Sequence, residues 1–259
     1  EEDKLGGVCL NIGCIPTKAL LTSAALVNEM KTAGSHGITF ESLAANLGPA
    51  QERSRAIADQ LSKGVAHLFK KYGVTHLEGR GRLQGGGKVE VEAEDGSKES
   101  YSAKHVILAT GSRPRDIPVL PIDEQRVWSS TGALFQTEAP ESLAVVGAGA
   151  VGMEFADVFN AYGTRVTVIE ALDRILPLED KDSSSTVQRS FKKRGMDFHT
   201  GAMVEAAEIG ENSVLLTFKD SKGESQTLAV QHVLSAVGRV PNTADLGLEA
   251  AGVKLDERG

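Results

Sequence analysis

The run Leu143-Ala144-Val145-Val146 passes without a break into Gly147-Ala148-Gly149-Ala150-Val151-Gly152. No other stretch limits the fold of this chain as tightly. The four apolar residues make a buried strand. Gly147 permits a tight turn, Gly149 lets the backbone approach a pyrophosphate, and Gly152 allows a helix to pack closely on the strand. The residues that follow, Met153 to Phe159, have a helical period, and Gly163 marks the stop. Arg165-Val166-Thr167-Val168-Ile169 is the next strand, and Glu170 ends it, 18 residues beyond Gly152. Strand, glycine turn, helix, strand and acid, in that order, are the context in which a G-x-G-x-x-G run holds a dinucleotide at a helix N-terminus. A carboxylate at Glu170 accepts hydrogen bonds from a ribose 2′-OH and repels a 2′-phosphate, which favours NAD over NADP. The bland alternative is a glycine-rich turn that binds nothing, and four agreeing features weigh against it.

At 259 residues and 41% hydrophobic content, the chain is long enough for two domains, each with its own core. Apolar residues recur at helical spacing from Lys18 to about Ala33 and from Ser42 to Tyr72, with Gly34, Gly37 and Gly73 punctuating the ends. From Val74 to Tyr101 the pattern changes to short alternating pieces broken by Gly85-Gly86-Gly87 and Asp95-Gly96, which predicts a small antiparallel meander. Val106 to Ala109 reads as a buried strand entering the turn Thr110-Gly111-Ser112-Arg113-Pro114. A second, doubly wound α/β unit begins near Asp123. It continues through a helix at Lys181 to Arg194 and a strand at Met196 to His199, with more strands to Val237.

Cys9 and Cys14 are the only cysteines, and they stand before a helical stretch whose first turn suits Pro16. A bridge across so few residues removes little chain entropy, so its value is chemical rather than structural. A helix N-terminus beside Cys14 favours a thiolate. Two buried, inert thiols are the commoner case in an arbitrary soluble protein. Zinc is disfavoured, because a structural site needs four ligands and the chain has no third cysteine and no histidine before His36. Gly6, Gly7 and Gly13 let the backbone pass close to a planar partner.

The run GGVCLNIGCIPTKALL resembles the active-site segment of the pyridine nucleotide–disulfide oxidoreductases, in particular the dihydrolipoamide dehydrogenases. The resemblance implies a flavoprotein in which the two cysteines form a redox disulfide, Cys9 exchanging with substrate and Cys14 facing the flavin. It implies an α/β fold of two Rossmann-like domains. The first, residues 1–122, binds FAD, is incomplete and carries the β meander; the second, residues 123–237, binds NAD. Residues 238–259 return toward the FAD domain. By the same match, Lys18 pairs with Glu154 beneath the reactive flavin nitrogen, Gly6, Gly7, Thr110, Gly111, Gly238 and Arg239 line the flavin, and Glu1 binds the adenosine ribose. As bland readings, Glu1 is a frayed terminal charge, Arg239 a surface turn, and Lys18 and Glu154 solvated helix charges. Ala150 stands where glutathione reductases carry a gating tyrosine, which argues against that branch. The six histidines are read as structural or exposed. None lies in the HPxxxE segment from which the family takes its acid–base histidine.

The resemblance further implies oxidation of dihydrolipoamide, carried on lipoyl domains of 2-oxoacid dehydrogenase or glycine cleavage complexes, by a homodimer when full length. The FAD pyrophosphate turn and the C-terminal interface domain are expected outside this chain, so the chain alone is expected to hold FAD poorly. Related disulfide or mercuric reductases are the nearest alternatives, and a non-catalytic NAD-binding redox sensor is the rival from another class. With 28 basic and 35 acidic residues and no basic track, nucleic acid is not an expected partner. Short apolar runs argue against a membrane span, and cysteine usage suits a cytoplasmic protein.

Overall fold

The computed structural model describes residue 1 and residues 3–259. In chain order its elements are α1 (Gly7–Ile12), α2 (Cys14–Thr32), a 3-10 turn at Ala33–His36, α3 (Leu47–Tyr72), β1 (Arg80–Gly85), β2 (Lys88–Glu92), β3 (Lys98–Ser102) and β4 (Ser112–Pro114). They continue as β5 (Val127–Trp128), α4 (Ser130–Leu134), β6 (Ser142–Val146), α5 (Ala150–Ala161), β7 (Arg165–Glu170), α6 (Lys181–Lys193) and β8 (Asp197–Thr200). The last are β9 (Met203–Ile209), β10 (Val214–Lys219), β11 (Ser225–Val230), β12 (His232–Ser235) and β13 (Arg239–Pro241). Two compact units emerge: a first of residues 1–11, 58–113 and 239–259, and a second of residues 12–57 and 114–238.

The second unit is built on a five-stranded parallel sheet in the order β5-β12-β6-β7-β8. After β6 the chain moves to β7 on one side, and the later strand β12 lies on the other side of β6. The carboxyl ends of β6 and β12 therefore form a topological switch point, the place where open α/β sheets bind ligands. Alternation along the strands covers both faces. Leu143, Val145, Val168 and Leu234 pack with Phe155 and Phe159 of α5 and with Leu20 and Ala24 of α2. Ala144, Val146, Ile169 and Val233 pack with Val204, Val214, Leu216 and Phe218 of the antiparallel sheet β11-β10-β9. Strands buried on both faces are near-continuously apolar, and this is why Leu143 to Val146 reads as one continuous run. The sheet β9 to β11 is itself the connection between β8 and β12, in the place where a doubly wound fold more often has a helix.

Several local expectations shift. The helix foreseen from Ser42 starts at Leu47, where Asn46 Oδ1 accepts a hydrogen bond from Gly48 N–H at 3.0 Å and so caps it. The segment before Cys14 contains a helix of its own, α1. The residues Gly7–His36 also form a helical stretch long and apolar enough, by length and composition, to cross a membrane, which a search for uninterrupted apolar runs overlooks. A core helix meets the same test, and Ala19, Leu20 and Ala24 of α2 are buried.

In the first unit, β1, β2 and β3 form the expected antiparallel meander, with Arg80 opposite Glu92 and Lys88 opposite Ser102. Leu83 N–H donates to Leu246 C=O at 2.8 Å and ties the tail onto β1. The buried strand expected at Val106 to Ala109 does not form: the segment has no strand pairing, and Ile107 is 90% exposed. An apolar run becomes a buried strand only when neighbours satisfy its backbone and cover its faces. Among the described residues none does so.

Candidate functional site

The glycine turn closes as its residue types require. Gly147 has φ +100°, and a Cβ there would lie 2.5 Å from Ala236 C=O, just past the end of β12. A Cβ on Gly152 would sit 2.0 Å from the Gly147 carbonyl oxygen, so only glycine lets the first turn of α5 approach the strand. At Gly149 nothing lies within 4 Å of that position, so this stretch of backbone is open. A cradle that side chains would fill at two points, and that stays open at a third beside a helix N-terminus, fits the pyrophosphate of a dinucleotide. Glu170 ends β7 beside this turn with its carboxylate on two backbone groups, Ala148 N–H at 2.6 Å and Leu172 N–H at 2.8 Å.

On the same unit, Cys14 is the first residue of α2, following Gly13 as N-cap with no side-chain cap. Pro16 falls in the first turn, where its missing N–H costs nothing. Thr17 Oγ1 donates to Gly13 C=O at 2.7 Å and tightens that turn. One turn on, Lys18 Nζ forms an ion pair with Glu154 Oε1 on α5. The helix that begins with Cys14 is thereby joined to the helix that begins at the glycine turn. Cys9 and Cys14 are both exposed.

In the first unit, Gly6 and Gly7 take φ +111° and +64°, and nothing lies within 4 Å of a Cβ on Gly7. Asn11, which the sequence did not single out, donates from Nδ2 to the carbonyls of Lys4, Leu5 and Gly7 at 3.3, 3.2 and 3.1 Å and fixes the segment that carries Cys9. A lone amide in an apolar run was the only signal for it. Glu1 and Gly6 line a cavity of about 420 Å³ together with Leu5, Phe69, His76 and Gly79. That volume accommodates a nucleoside.

Thr110 Oγ1 donates to Asn242 C=O at 2.7 Å, Asn242 N–H to Gly111 C=O at 3.0 Å, and Asn242 Nδ2 to Thr110 C=O at 3.1 Å. Arg239 reaches Ser112 Oγ from Nε at 2.8 Å and the Ser112 carbonyl from Nη2 at 2.5 Å. Burial pulls its guanidinium pKa below the ordinary value. Gly238, with φ +112°, precedes it. The structure thus brings Thr110, Gly111 and Arg239 into one clasp, and Cys14, Lys18, Glu154, Gly147, Gly149, Gly152 and Glu170 into the second unit.

Comparison with known proteins gives the family and the fold. A model of the pyridine nucleotide-disulphide oxidoreductase family matches residues 2–259. Dihydrolipoyl dehydrogenase 3 of Pseudomonas putida is 40% identical over 98% of this chain and 55% of its own length. Among solved structures, LpdA of Mycobacterium tuberculosis superposes with a TM-score of 0.90 at 30% identity, covering 99% of this chain and 55% of the other. The copper(II) complex of RclA, an HOCl-induced flavoprotein disulfide reductase of Escherichia coli, gives a TM-score of 0.84 at 28% identity, with 100% of this chain and 54% of the other covered. The chain spans about half the length of the curated relatives it matches. It belongs to the pyridine nucleotide-disulphide oxidoreductase family.

Proposed function

We propose that this chain carries the redox-disulfide and nicotinamide parts of an FAD- and NAD-dependent dihydrolipoamide dehydrogenase that acts in the cytoplasm. The observation that carries the reading is the Lys18–Glu154 pair, which links the helix opened by Cys14 to the helix opened by the dinucleotide turn. Cys9 and Cys14 are the redox couple. A thiolate of dihydrolipoamide attacks Cys9 Sγ and Cys14 leaves as a thiolate, which the N-terminus of α2 stabilises. The second substrate thiolate then displaces Cys9, which closes the lipoamide disulfide and leaves the two protein cysteines holding the electron pair. FAD, held by the residues assigned to it below, would supply the two-electron chemistry that links this dithiol to hydride transfer with NAD⁺.

Glu1, Gly6, Gly7, Thr110, Gly111, Gly238 and Arg239 are assigned to the flavin. Gly147, Gly149, Gly152 and Glu170 are assigned to the nicotinamide nucleotide. Residues 1–122 and 238–259 serve the first and residues 123–237 the second. The substrate is presented on lipoyl domains of a 2-oxoacid dehydrogenase or glycine cleavage complex, to a homodimer. Likeness to the flavoprotein disulfide reductase of Escherichia coli favours a second reading, in which NADH reduces a disulfide through the same cysteines.

Flavin-loaded protein separates these readings. Dihydrolipoamide should raise a long-wavelength absorbance and then yield NADH from NAD⁺, and both signals should vanish in Cys14→Ala. Reduction of small disulfides by NADH with no NADH formed from dihydrolipoamide would select the second reading, and protein that never retains flavin would end both.

A further inference from the structure

The segment that leads to Cys9 turns on two successive glycines, Gly6 at φ +111° and Gly7 at φ +64°. A Cβ on Gly6 would meet Leu10 Cδ1 at 2.5 Å, so the turn is folded tightly against α1. Glycine gives such a turn its shape but no stiffness of its own. Nor is α1 stiff in itself, since six residues are too few to hold a helix without outside contacts. Asn11, two residues beyond Cys9 and 9% exposed, closes the turn. Its two amide hydrogens serve the carbonyl of Gly7 on α1 and those of Lys4 and Leu5 on the far side of both glycines. That far side is anchored on α3, where Ser62 Oγ donates to the Leu5 carbonyl at 2.8 Å and Asp59 Oδ1 accepts from Lys4 Nζ at 3.2 Å. Asp59 and Ser62 stand three apart, on one face of that helix. Cys9 therefore rides on a short helix whose hydrogen-bonded tie to a long one passes through the Asn11 amide. Every group in this network lies in the first unit.

We propose that Asn11 is a positioning residue of the redox couple, which holds Cys9 in place while the disulfide is open and so sets how strongly the pair closes again. The proposal rests on the redox-disulfide reading above and deepens it. In this role Asn11 touches no reacting atom and acts through α1. Two external thiols open the Cys9–Cys14 bond, leaving two protein thiols and one external disulfide, and the reverse exchange closes it. Closure is intramolecular. The effective concentration of one sulfur at the other falls when its segment wanders, because the freedom gained on opening must be given up again on closing.

Equilibration of the 259-residue chain with reduced and oxidised glutathione, followed by acid quench, alkylation and thiol counting by intact mass, measures the closure constant. With Cys9 and Cys14 the only cysteines, the count has one meaning. Asn11→Leu keeps the size of the side chain and removes both donors, and it should lower the constant for disulfide formation by about threefold or more. Ser62→Ala removes one of the two donors on the Leu5 carbonyl and should lower it by about twofold or more. Far-ultraviolet dichroism and Trp128 fluorescence report whether each variant is folded. A smaller fall than these in folded Asn11→Leu, or a rise, would overturn the proposal. Where Asn11→Leu does not fold, Ser62→Ala decides by the same rule. Wild-type protein whose two thiols stay open to alkylation at every glutathione ratio would remove the disulfide reading itself, and the proposal with it, an outcome distinct from a disulfide that forms but ignores Asn11.

Discussion

The two units share one chain but differ in what holds their backbone still. In the second, both faces of the parallel sheet are covered by apolar side chains, with Trp128, Phe155, Phe159 and Phe218 almost completely buried. In the first, Ala58, Leu246 and Leu248 are the only buried apolar residues among those described. Order there comes instead from strand pairing in the meander and from side-chain clasps such as Asn11 on three carbonyls and Arg239 on Ser112. Hydrophobic burial stabilises by about 25 cal/mol per Å² of apolar surface, whereas a net hydrogen bond adds about 1 kcal/mol. The glycine turn of the second unit therefore stands on rigid ground, and the glycines of the first unit stand on a scaffold that opens more readily. Denaturant should unfold the chain in two steps, with the sole tryptophan, Trp128, reporting the later one.

The largest expected effect comes from removing a shared aromatic. Phe159 stacks between Trp128, at 5.8 Å between ring centroids, and Phe155, at 6.4 Å. Phe159→Ala should cost the second unit about 3–5 kcal/mol. It should bring the Trp128 transition down toward that of the first unit and merge the two steps. Urea titrations followed by tryptophan fluorescence and far-ultraviolet dichroism measure this. Two steps that remain fully separate would show that the aromatic cluster is not what sets the units apart.

Next in size is Gly152→Ala, whose added methyl meets the Gly147 carbonyl at 2.0 Å. The obstacle is backbone, so the turn itself must move. A loss of about 1–3 kcal/mol in the second unit is expected, together with loss of NADH binding by fluorescence titration. The same change at Gly7, where nothing lies within 4 Å, meets only the strain of φ +64° and should leave the second unit untouched.

These positions also mark what could be read in advance. The turn at Gly147 to Gly152 and the strand ending on Glu170 were legible, because local spacing fixes their geometry, whereas the Lys18–Glu154 pair, far apart in sequence, was expected only from the family resemblance. Val106 to Ala109 was misread, since an apolar run carries no information about whether neighbours exist to cover it. The partners of Glu170 were illegible for a related reason: Ala148 and Leu172 contribute backbone groups, which every residue type has. Asn46 as the cap of α3 was within reach, and was passed over because the helical period extends upstream of it.

A smaller effect separates the units by pH. His232 stacks on Trp128 with ring centroids 4.2 Å apart, and Arg126 Nη1 lies 3.2 Å from its Nε2. Arginine only donates, so Nε2 accepts and the ring is neutral. Burial first, and then the Arg126 charge, hold the His232 pKa below the ordinary 6.5, against weaker opposing pulls from a backbone hydrogen bond to Gln125 and from the Asp123 charge. The folded state thus binds fewer protons than the unfolded one. Its stability is full above about pH 6.5 and declines as the pH falls from there through the lower folded pKa. The Trp128 midpoint should drop on acidification between pH 7 and 5, and His232→Gln should flatten that slope. An unchanged slope in the variant would place the sensitivity elsewhere.

The smallest expected effect is on the exposed segment of the first unit. Ile107 is 90% exposed, flanked by Val106 and Leu108 at 41% and 42%. A side chain that buries almost nothing loses almost nothing on substitution, so Ile107→Lys should change stability by no more than about 0.5 kcal/mol. The Trp128 transition should not move at all. A cost of 2 kcal/mol or more would mean that the segment is packed in solution, and would narrow the contrast between the units from the side of the weaker one. Leu143→Ala, the deletion of an apolar side chain inside the parallel sheet, should cost about 2–5 kcal/mol. Measuring it beside Ile107→Ala under one set of conditions puts the contrast on a single scale, because each truncates a branched aliphatic residue to alanine and the chief difference is its surroundings.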